Sequence, residues 1–383
     1  MIGEGGQGEV WEAWQSSLRR VVAVKIHRSG ASDRFLREAF LTGQLDHPTI
    51  VQVLELGTLA SRTDATPRAA MVMKRLRGVR WDQLVHAELP LGTVIPTRYL
   101  VRHLAILESV CQALAYAHSK GVLHLDLKPS QVIVAEFGEV YLCDWGMAAQ
   151  RSPDSQSLEF VSPAEGAFGT AGFMAPEQAL GDLETVGIPT DIYLLGGLVY
   201  FLATGTPPPS GATSTDRIIP ARRNQMRPLD GSVPEGLRSV VETAMSANPA
   251  RRYPDVESFR RALEASIQEA IQAEESARLF REAAIQPDAS RGRYESLVAL
   301  EQQLDRALAL SPGSREASSL RDETLFAVAD SAAILRLTVD PKGASFLAPS
   351  ADESATLWNP SNGQPHVTDS DPLLYQTVHL IID

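Results

Sequence analysis

Cysteine is almost absent from this chain of 383 residues, occurring only as Cys111 and Cys143. Two thiols so far apart in sequence build no disulfide framework, which points to a reducing compartment and a cytoplasmic location. Long apolar runs are missing as well. The most apolar stretch, IYLLGGLVYFLA (192–203), has twelve residues, whereas a membrane-spanning helix takes about twenty, so it reads as a buried core helix and no membrane span is expected. A basic excess is lacking too: Lys and Arg number 35 against 47 Asp and Glu, a formal net charge of -12. That balance argues against nucleic-acid partners, which leave a basic footprint. No signal peptide precedes the glycine-rich opening GEGGQGEV (3–10). With 44% hydrophobic and 21% charged residues, the composition is otherwise that of an ordinary globular chain, long enough for two or three domains.

Two short strings carry the chemistry. LHLDLKPSQ (123–131) and LCDWG (142–146) set Asp126 and Asp144 eighteen positions apart. Such a pair suits phosphoryl transfer, in which one carboxylate lies beside the acceptor hydroxyl and another holds the cation that neutralises developing charge. Either string alone is a weak signal, but neighbours occur in order around them. GEGGQGEV fits GxGxxGxV, where glycines let the backbone fold closely over phosphates. VVAVK (21–25) reads as a β-branched strand ending in Lys25, and DRFLREAFLTGQL (33–45) has helical spacing at Phe35, Phe40 and Leu41 and carries Glu38. AMVMKRLRG (70–78) reads as a strand running into a connector. RHLAILESVCQALAYAHSKG (102–121) reads as a buried helix, with Leu104, Leu107, Val110, Leu114 and Ala117 three or four apart and Gly121 as its stop. GTAGFMAPE (169–177), TDIYLLGGLVYFLATG (190–205) and NPARRYPDVESFRRAL (248–263) complete the series.

In this order, from residue 2 to about residue 265, the motifs resemble the protein kinases, and most closely the bacterial serine/threonine protein kinases. The resemblance implies an α+β, two-lobed fold: a small β-rich N-lobe over 1–76, its first strand truncated, and a large helical C-lobe over 77–265. It implies ATP-dependent transfer of the γ-phosphoryl group to serine or threonine hydroxyls of a protein substrate, with Mg2+, or Mn2+ in its place, as the metal. By motif position Asp126 would orient the acceptor hydroxyl, Lys128 would be the cation beside the transferring phosphate, and Lys25 and Glu38 would pair at the α- and β-phosphates. Asp144 and Gln131 would hold the metal. The nucleotide site would take in Ile2, Gly3, Gly5, Gly6, Gly8 and Val10, with Ala23 and Ile133 at the adenine and backbone groups of Lys74 and Leu76 in the hinge. Thr170 would lie near the acceptor residue, Glu177 would pair with Arg252, and Asp191 would open the central helix of the C-lobe.

Three departures from the family pattern bear on activity. Gln131 stands where asparagine is usual, offering the same carboxamide oxygen on a stem one methylene longer. Leu125 stands where many members have an arginine that captures an activation-segment phosphate, which implies that Ser152, Ser155, Ser157 and Ser162 belong to a solvated loop rather than to a phosphate switch. Met1 lies two residues before the first loop glycine, which implies an incomplete first strand or a true start further upstream. An alternative therefore stands beside the enzyme: a pseudokinase-like ATP-binding or scaffold module with impaired catalysis. A small-molecule phosphotransferase is a distant third.

Beyond the kinase-like region, 266–284 and 293–312 read as two helices of a hairpin, ending in an ALALSP similar to tetratricopeptide repeats, and another helix is expected over 314–332. Residues 266–334 thus form a helical extension. The remaining segment, 335–383, alternates apolar residues with turn signals, and LRLTVDPKGASFLAPSADESATLWNPSNGQP (335–365) resembles a single WD-repeat propeller blade with Trp358 at the marker position. One blade cannot close a propeller, which takes about four to eight. The segment implies a protein partner, or a chain that is the front part of a longer kinase-propeller fusion.

Overall fold

The computed structural model describes residues 1–5, 8–28, 33–59, 67–89, 95–152, 157–161, 166–208, 213–284, 293–310, 318–322, 324, 346–349, 355–359 and 364–368. The chain divides into two compact units, Met1–Ala270 and Ile271–Asp383. The first begins with a five-stranded antiparallel sheet. Its strands are β1 (Gly3–Gly5), β2 (Gly8–Gln15), β3 (Arg20–His27), β4 (Val53–Leu59) and β5 (Arg68–Lys74), in the spatial order β1-β2-β3-β5-β4. Short as β1 is, the Ile2 amide extends its pairing by donating to the Val10 carbonyl at 2.8 Å. Between β3 and β4 lies helix α1 (Asp33–Gly43). It packs Phe35 and Ala39 against Ala69 and Met71 of β5. Phe40, named with Phe35 and Leu41 for helical spacing, is 59% exposed. Residues 35, 39 and 42 share one helical face, and position 40 falls outside it.

A second, mainly helical region follows: β6 (Gly78–Arg80), α2 (Trp81–Glu88), α3 (Thr97–Ser119), β7 (Val122–Leu123), β8 (Val132–Ala135), β9 (Val140–Leu142), β10 (Ala149–Arg151), β11 (Leu158–Phe160), α4 (Pro176–Leu180), α5 (Ile188–Thr204), α6 (Ser214–Arg222), α7 (Glu235–Ala244) and α8 (Val256–Ala284). α3 starts after Pro96, has no interior glycine or proline, and stops where Gly121 takes φ 73°. Its buried face includes Leu104, Leu107, Val110, Leu114 and Ala117, the residues whose spacing marked it. α5 is buried from Thr190 to Leu202, as a helix apolar all round must be. It meets α7 closely at Gly196, where an added Cβ would come within 2.8 Å of the Ala244 Cβ. No described helix is long and apolar enough to cross a membrane.

Two small sheets sit beside these helices, ordered β6-β8-β9 and β11-β10-β7. The chain between α1 and β4 is sewn to the first of them. Leu142 N donates to Thr49 O at 2.6 Å, and Val51 N donates to Leu142 O at 3.2 Å. These bonds join the five-stranded sheet to the helical region directly behind the site described below.

α8 runs on without a break through the point where a separate helix was read from the sequence at 266, because ALEASIQEA contains neither glycine nor proline to stop it. In the second unit, α9 spans Arg293–Leu310, and Ser276 Oγ donates to Ala307 O at 2.8 Å. Of the helix expected over 314–332, residues 318–322 and 324 are helical, and the remainder lies outside the described residues. An antiparallel three-stranded sheet is formed by β12 (Phe346–Pro349), β13 (Ala355–Asn359) and β14 (Gln364–Thr368). Phe346 pairs with Trp358, and the β13–β14 register shifts between Leu357 and Trp358.

The expected ion pair between Glu177 and Arg252 is formed in both directions of the guanidinium fork: Nη1 to Oε1 at 2.6 Å and Nη2 to Oε2 at 2.8 Å. Both side chains are buried. Arg252 also donates to Ser246 O and Pro189 O, and its guanidinium lies 4.9 Å from the Tyr193 ring centre. Four of the five guanidinium N–H groups are therefore bonded, which is what makes a buried charge tolerable. Removing one partner strands the other: Arg252→Ala is expected to lower unfolding stability by about 3–5 kcal/mol, read from urea denaturation of the whole chain.

Candidate active site

The 123–131 string forms a loop between β7 and β8, and its shape is set by a carboxylate far along the chain. Asp191, wholly buried at the start of α5, accepts from His124 N at 2.9 Å and from Leu125 N at 2.8 Å, and its Oδ2 also meets His118 Nε2 at 2.8 Å. Burial opposes ionisation of Asp191, yet the His118 bond, the charges of His118 and His124, and the backbone donor outweigh it and hold the carboxyl below its ordinary range. The loop these bonds impose turns Leu125 to φ 64°, a left-handed conformation that leucine rarely adopts. Asp126 follows at once.

Asp126 is the hub of three polar side chains. Lys128 Nζ donates to its Oδ2 at 2.7 Å and Gln131 Nε2 to the same oxygen at 2.9 Å, while Thr170 Oγ1 donates to its Oδ1 at 2.6 Å. Lys128 Nζ also donates to Thr170 Oγ1 at 2.7 Å, closing a triangle. Asp144 is brought alongside by the β8–β9 hairpin, whose return is fixed by Cys143 N donating to Gln131 O at 2.9 Å. Gln131 Nε2 then reaches Asp144 Oδ2 at 3.4 Å. Asp144 itself has φ 64°. Burial raises its carboxyl pKa, but Lys25, Lys128, His124 and the Gly146 amide prevail and keep it low, so it is ionised at neutral pH.

Across the cleft, Lys25 Nζ meets Glu38 Oε1 at 2.6 Å, joining β3 to α1. Burial pushes the Glu38 carboxyl up, with the Lys25 charge pulling the other way. A cavity of about 350 Å³ lies between the sheet and Asp144, walled by Gly3, Gly8, Val10, Lys25 and Glu38 among others. Gly8 has to be glycine: a Cβ there would sit 2.3 Å from the Ile26 carbonyl oxygen.

Of the other residues singled out from the sequence, Gly5 pairs with Gly8 across the first hairpin, and Gly6 lies outside the described residues. Ala23 is buried in β3 opposite Met73, and Ile133 is in β8 opposite Tyr141. Lys74 ends β5, its amide donates to Gln52 O, and its Nζ reaches Tyr141 OH at 2.5 Å. The Leu76 carbonyl accepts from the Arg75 guanidinium. Ile2, Gly5, Ala23, Lys74, Leu76 and Ile133 are not part of the cavity wall. Thr42, Val53, Met71, Met73 and Trp145 are, although none of them was singled out from the sequence as a site residue. Ser152 N donates to Ser157 O at 2.8 Å, and Ser155 and Ser162 lie outside the described residues.

The donor set near Asp144 fits a hard divalent cation. Gln131 Oε1 is buried with no hydrogen-bond partner, because the amide's N–H faces the carboxylates. A buried carboxamide oxygen without a donor is costly, and an oxygen-seeking cation beside ionised Asp144 satisfies it. Among the described residues no group of three or more His, Cys, Asp or Glu side chains is set to hold a metal by itself. Two protein oxygens with phosphate and water completing the shell is the pattern of a nucleotide-bound magnesium.

The same arrangement of parts is matched by comparison. A family model described as a protein kinase domain covers residues 1–267. The chain belongs to the protein kinase family. Its sheet-rich first lobe and helical second lobe are the two lobes of that fold. The chain is 34% identical over 291 residues to the serine/threonine-protein kinase PknD of Protochlamydia amoebophila, covering 69% of this chain and 29% of that protein. It is 33% identical over 275 residues to PknB of Mycobacterium tuberculosis, covering 68% of this chain and 41% of that protein. It is likewise 33% identical over 262 residues to PknA of the same organism, covering 66% of this chain and 57% of that protein. The chain thus spans less than two thirds of the length of these relatives.

The Asp191 clamp gives a signed pH dependence. A carboxyl held below its unfolded value of about 3.9 stabilises the fold fully above that pH and loses the contribution as pH falls through the folded value. Asp191→Asn is expected to lower the thermal midpoint at neutral pH and to flatten its decline on acidification, measured by thermal unfolding at a series of pH values down to about 3.

Proposed function

We propose that the chain is an ATP-dependent serine/threonine protein kinase that transfers the γ-phosphoryl group to hydroxyls of a protein substrate. The observation that carries this reading is the triangle of Asp126, Lys128 and Thr170, with sides of 2.6 to 2.7 Å, set beside ionised Asp144. A serine or threonine hydroxyl entering in place of the Thr170 contact donates its hydrogen bond to Asp126, which orients the oxygen for attack. The new bond forms between that oxygen and the γ-phosphorus, the bond from phosphorus to the bridging oxygen breaks, the hydroxyl proton passes to Asp126 and on to solvent, and ADP leaves. Lys128 stands as the cation beside the group in transit.

Lys25, steadied by Glu38, is assigned to the α- and β-phosphates, under the backbone of Gly3, Gly5, Gly6 and Gly8. Val10, Ala23, Ile2 and Ile133 are assigned to the adenine, and the backbone of Lys74 and Leu76 to its hydrogen-bonding edge. Asp144 and Gln131 are assigned to Mg2+ or Mn2+, which supplies charge neutralisation of the phosphates when bound. The two unpaired thiols, Cys111 and Cys143, support a cytoplasmic location. The antiparallel β12-β13-β14 sheet, with Trp358 in its middle strand, supports likeness to a WD-repeat blade and a protein partner for that segment. The scaffold alternative draws no support from the described residues, since Lys25, Glu38, Asp126, Lys128 and Asp144 all stand within one cleft and its rim.

Transfer of labelled phosphate from ATP to the chain itself or to a generic protein is the test. Asp126→Ala is expected to reduce the rate by about 10²- to 10⁴-fold, and no transfer by the unaltered chain under either metal would sink the proposal. Gln131 is tested separately by binding. Gln131→Leu is expected to abolish the extra thermal stabilisation that Mg2+ adds to ATP, whereas Gln131→Asn retains it.

A further inference from the structure

Gln178 is fully buried and belongs to none of the motifs assigned a role above. It sits in α4, and its carboxamide faces two ways. Oε1 accepts from Ala175 N at 3.1 Å, while Nε2 donates to Leu125 O at 2.7 Å across a sequence separation of 53. The network permits only this orientation, because one neighbour is a donor and the other an acceptor. Its backbone adds a third tie, with Phe168 N donating to Gln178 O at 3.3 Å.

The first bond is a helix cap that glutamate would provide equally well. The second is different in kind. Leu125 is the left-handed residue before Asp126 and is held from three sides: Asp191 takes its N–H, Gln178 takes its carbonyl, and Leu123, Ala149, Phe168 and Val186 enclose its side chain. Phe168 in turn stacks edge-on with Phe160 of β11, ring centres 5.9 Å apart. Gln178 thereby joins the loop bearing Asp126 to the segment that leads into Thr170.

We propose that Gln178 is a positioning residue for phosphoryl transfer, its side-chain N–H holding the Leu125 peptide so that Asp126 stays in register with Thr170 and the incoming hydroxyl. The inference rests on the protein kinase reading of the site. A glutamate here keeps the size and the cap but sets an acceptor against the Leu125 carbonyl, so the loop is released while α4 is kept.

Gln178→Glu is therefore the decisive variant. Burial against a carbonyl raises the new carboxyl's pKa, so its protonated form regains a donor as pH falls. At about pH 8 the variant is expected to lose kcat for a peptide acceptor by at least about tenfold, with KM for ATP and the nucleotide-induced thermal shift unchanged, since small misplacements cost rate before binding. The deficit narrows toward about pH 6, a slope that neither the unaltered chain nor Gln178→Leu shows. Hydrogen exchange at 123–129 rises in Gln178→Glu. Unchanged kcat and exchange in that variant overturn the inference, as does a joint loss of kcat and nucleotide shift in both variants with no pH slope, which marks a purely structural residue. Should the unaltered chain transfer no phosphate, the proposed function fails, and the exchange comparison still decides whether Gln178 holds the loop.

Discussion

The active loop depends on one buried carboxylate. Asp191 lies wholly out of solvent, where an uncompensated charge is strongly unfavourable. Two consecutive backbone N–H groups and His118 compensate it, and in doing so they force the chain into the reversal that presents Asp126. The strain of a left-handed leucine is thus not a local accident. It is what remains when both amides must point at the same carboxylate. Remove that anchor and only the Gln178 bond and the apolar enclosure of Leu125 remain to fix the distances among Asp126, Lys128 and Thr170.

Much of the site was legible in the sequence because its chemistry demands particular residue types at short spacing. Lys25 and Glu38, Asp126 and Lys128, and Asp144 all stand within the strings that marked them, and the predicted partnership of Glu177 and Arg252 is formed. What the sequence did not disclose lies at long separation. The bond from Gln178 to Leu125 spans 53 residues, and no periodicity reports it. The inner wall of the cleft, with Thr42 from α1 and Met71 and Met73 from β5, is made of residues that look like ordinary core. The exposure of Phe40 was hidden for a related reason: hydrophobicity says that a side chain prefers burial, while helical geometry decides which one obtains it. The unbroken α8 shows the converse, since a change of neighbourhood along the chain leaves no mark when helix propensity continues through it.

Gln131 illustrates how a departure from a family pattern is absorbed. The longer stem still lets the amide N–H bond Asp126 and leaves the oxygen free on the other side. The extra methylene is accommodated in a residue that is itself buried, with its backbone bonded at both N–H and carbonyl. The backbone thus holds the stem while the head group retains both faces of its chemistry.

The dry enclosure around Leu125 has a consequence of another sort. A cationic socket that grips a phosphate can be emptied by a phosphatase and weakened by salt. A socket filled with leucine, alanine, valine and phenylalanine answers to neither. Its hold is non-directional, grows with apolar area, and fades only on cooling or in denaturant. Order at this pocket rests on apolar contact that the amino-acid sequence itself supplies.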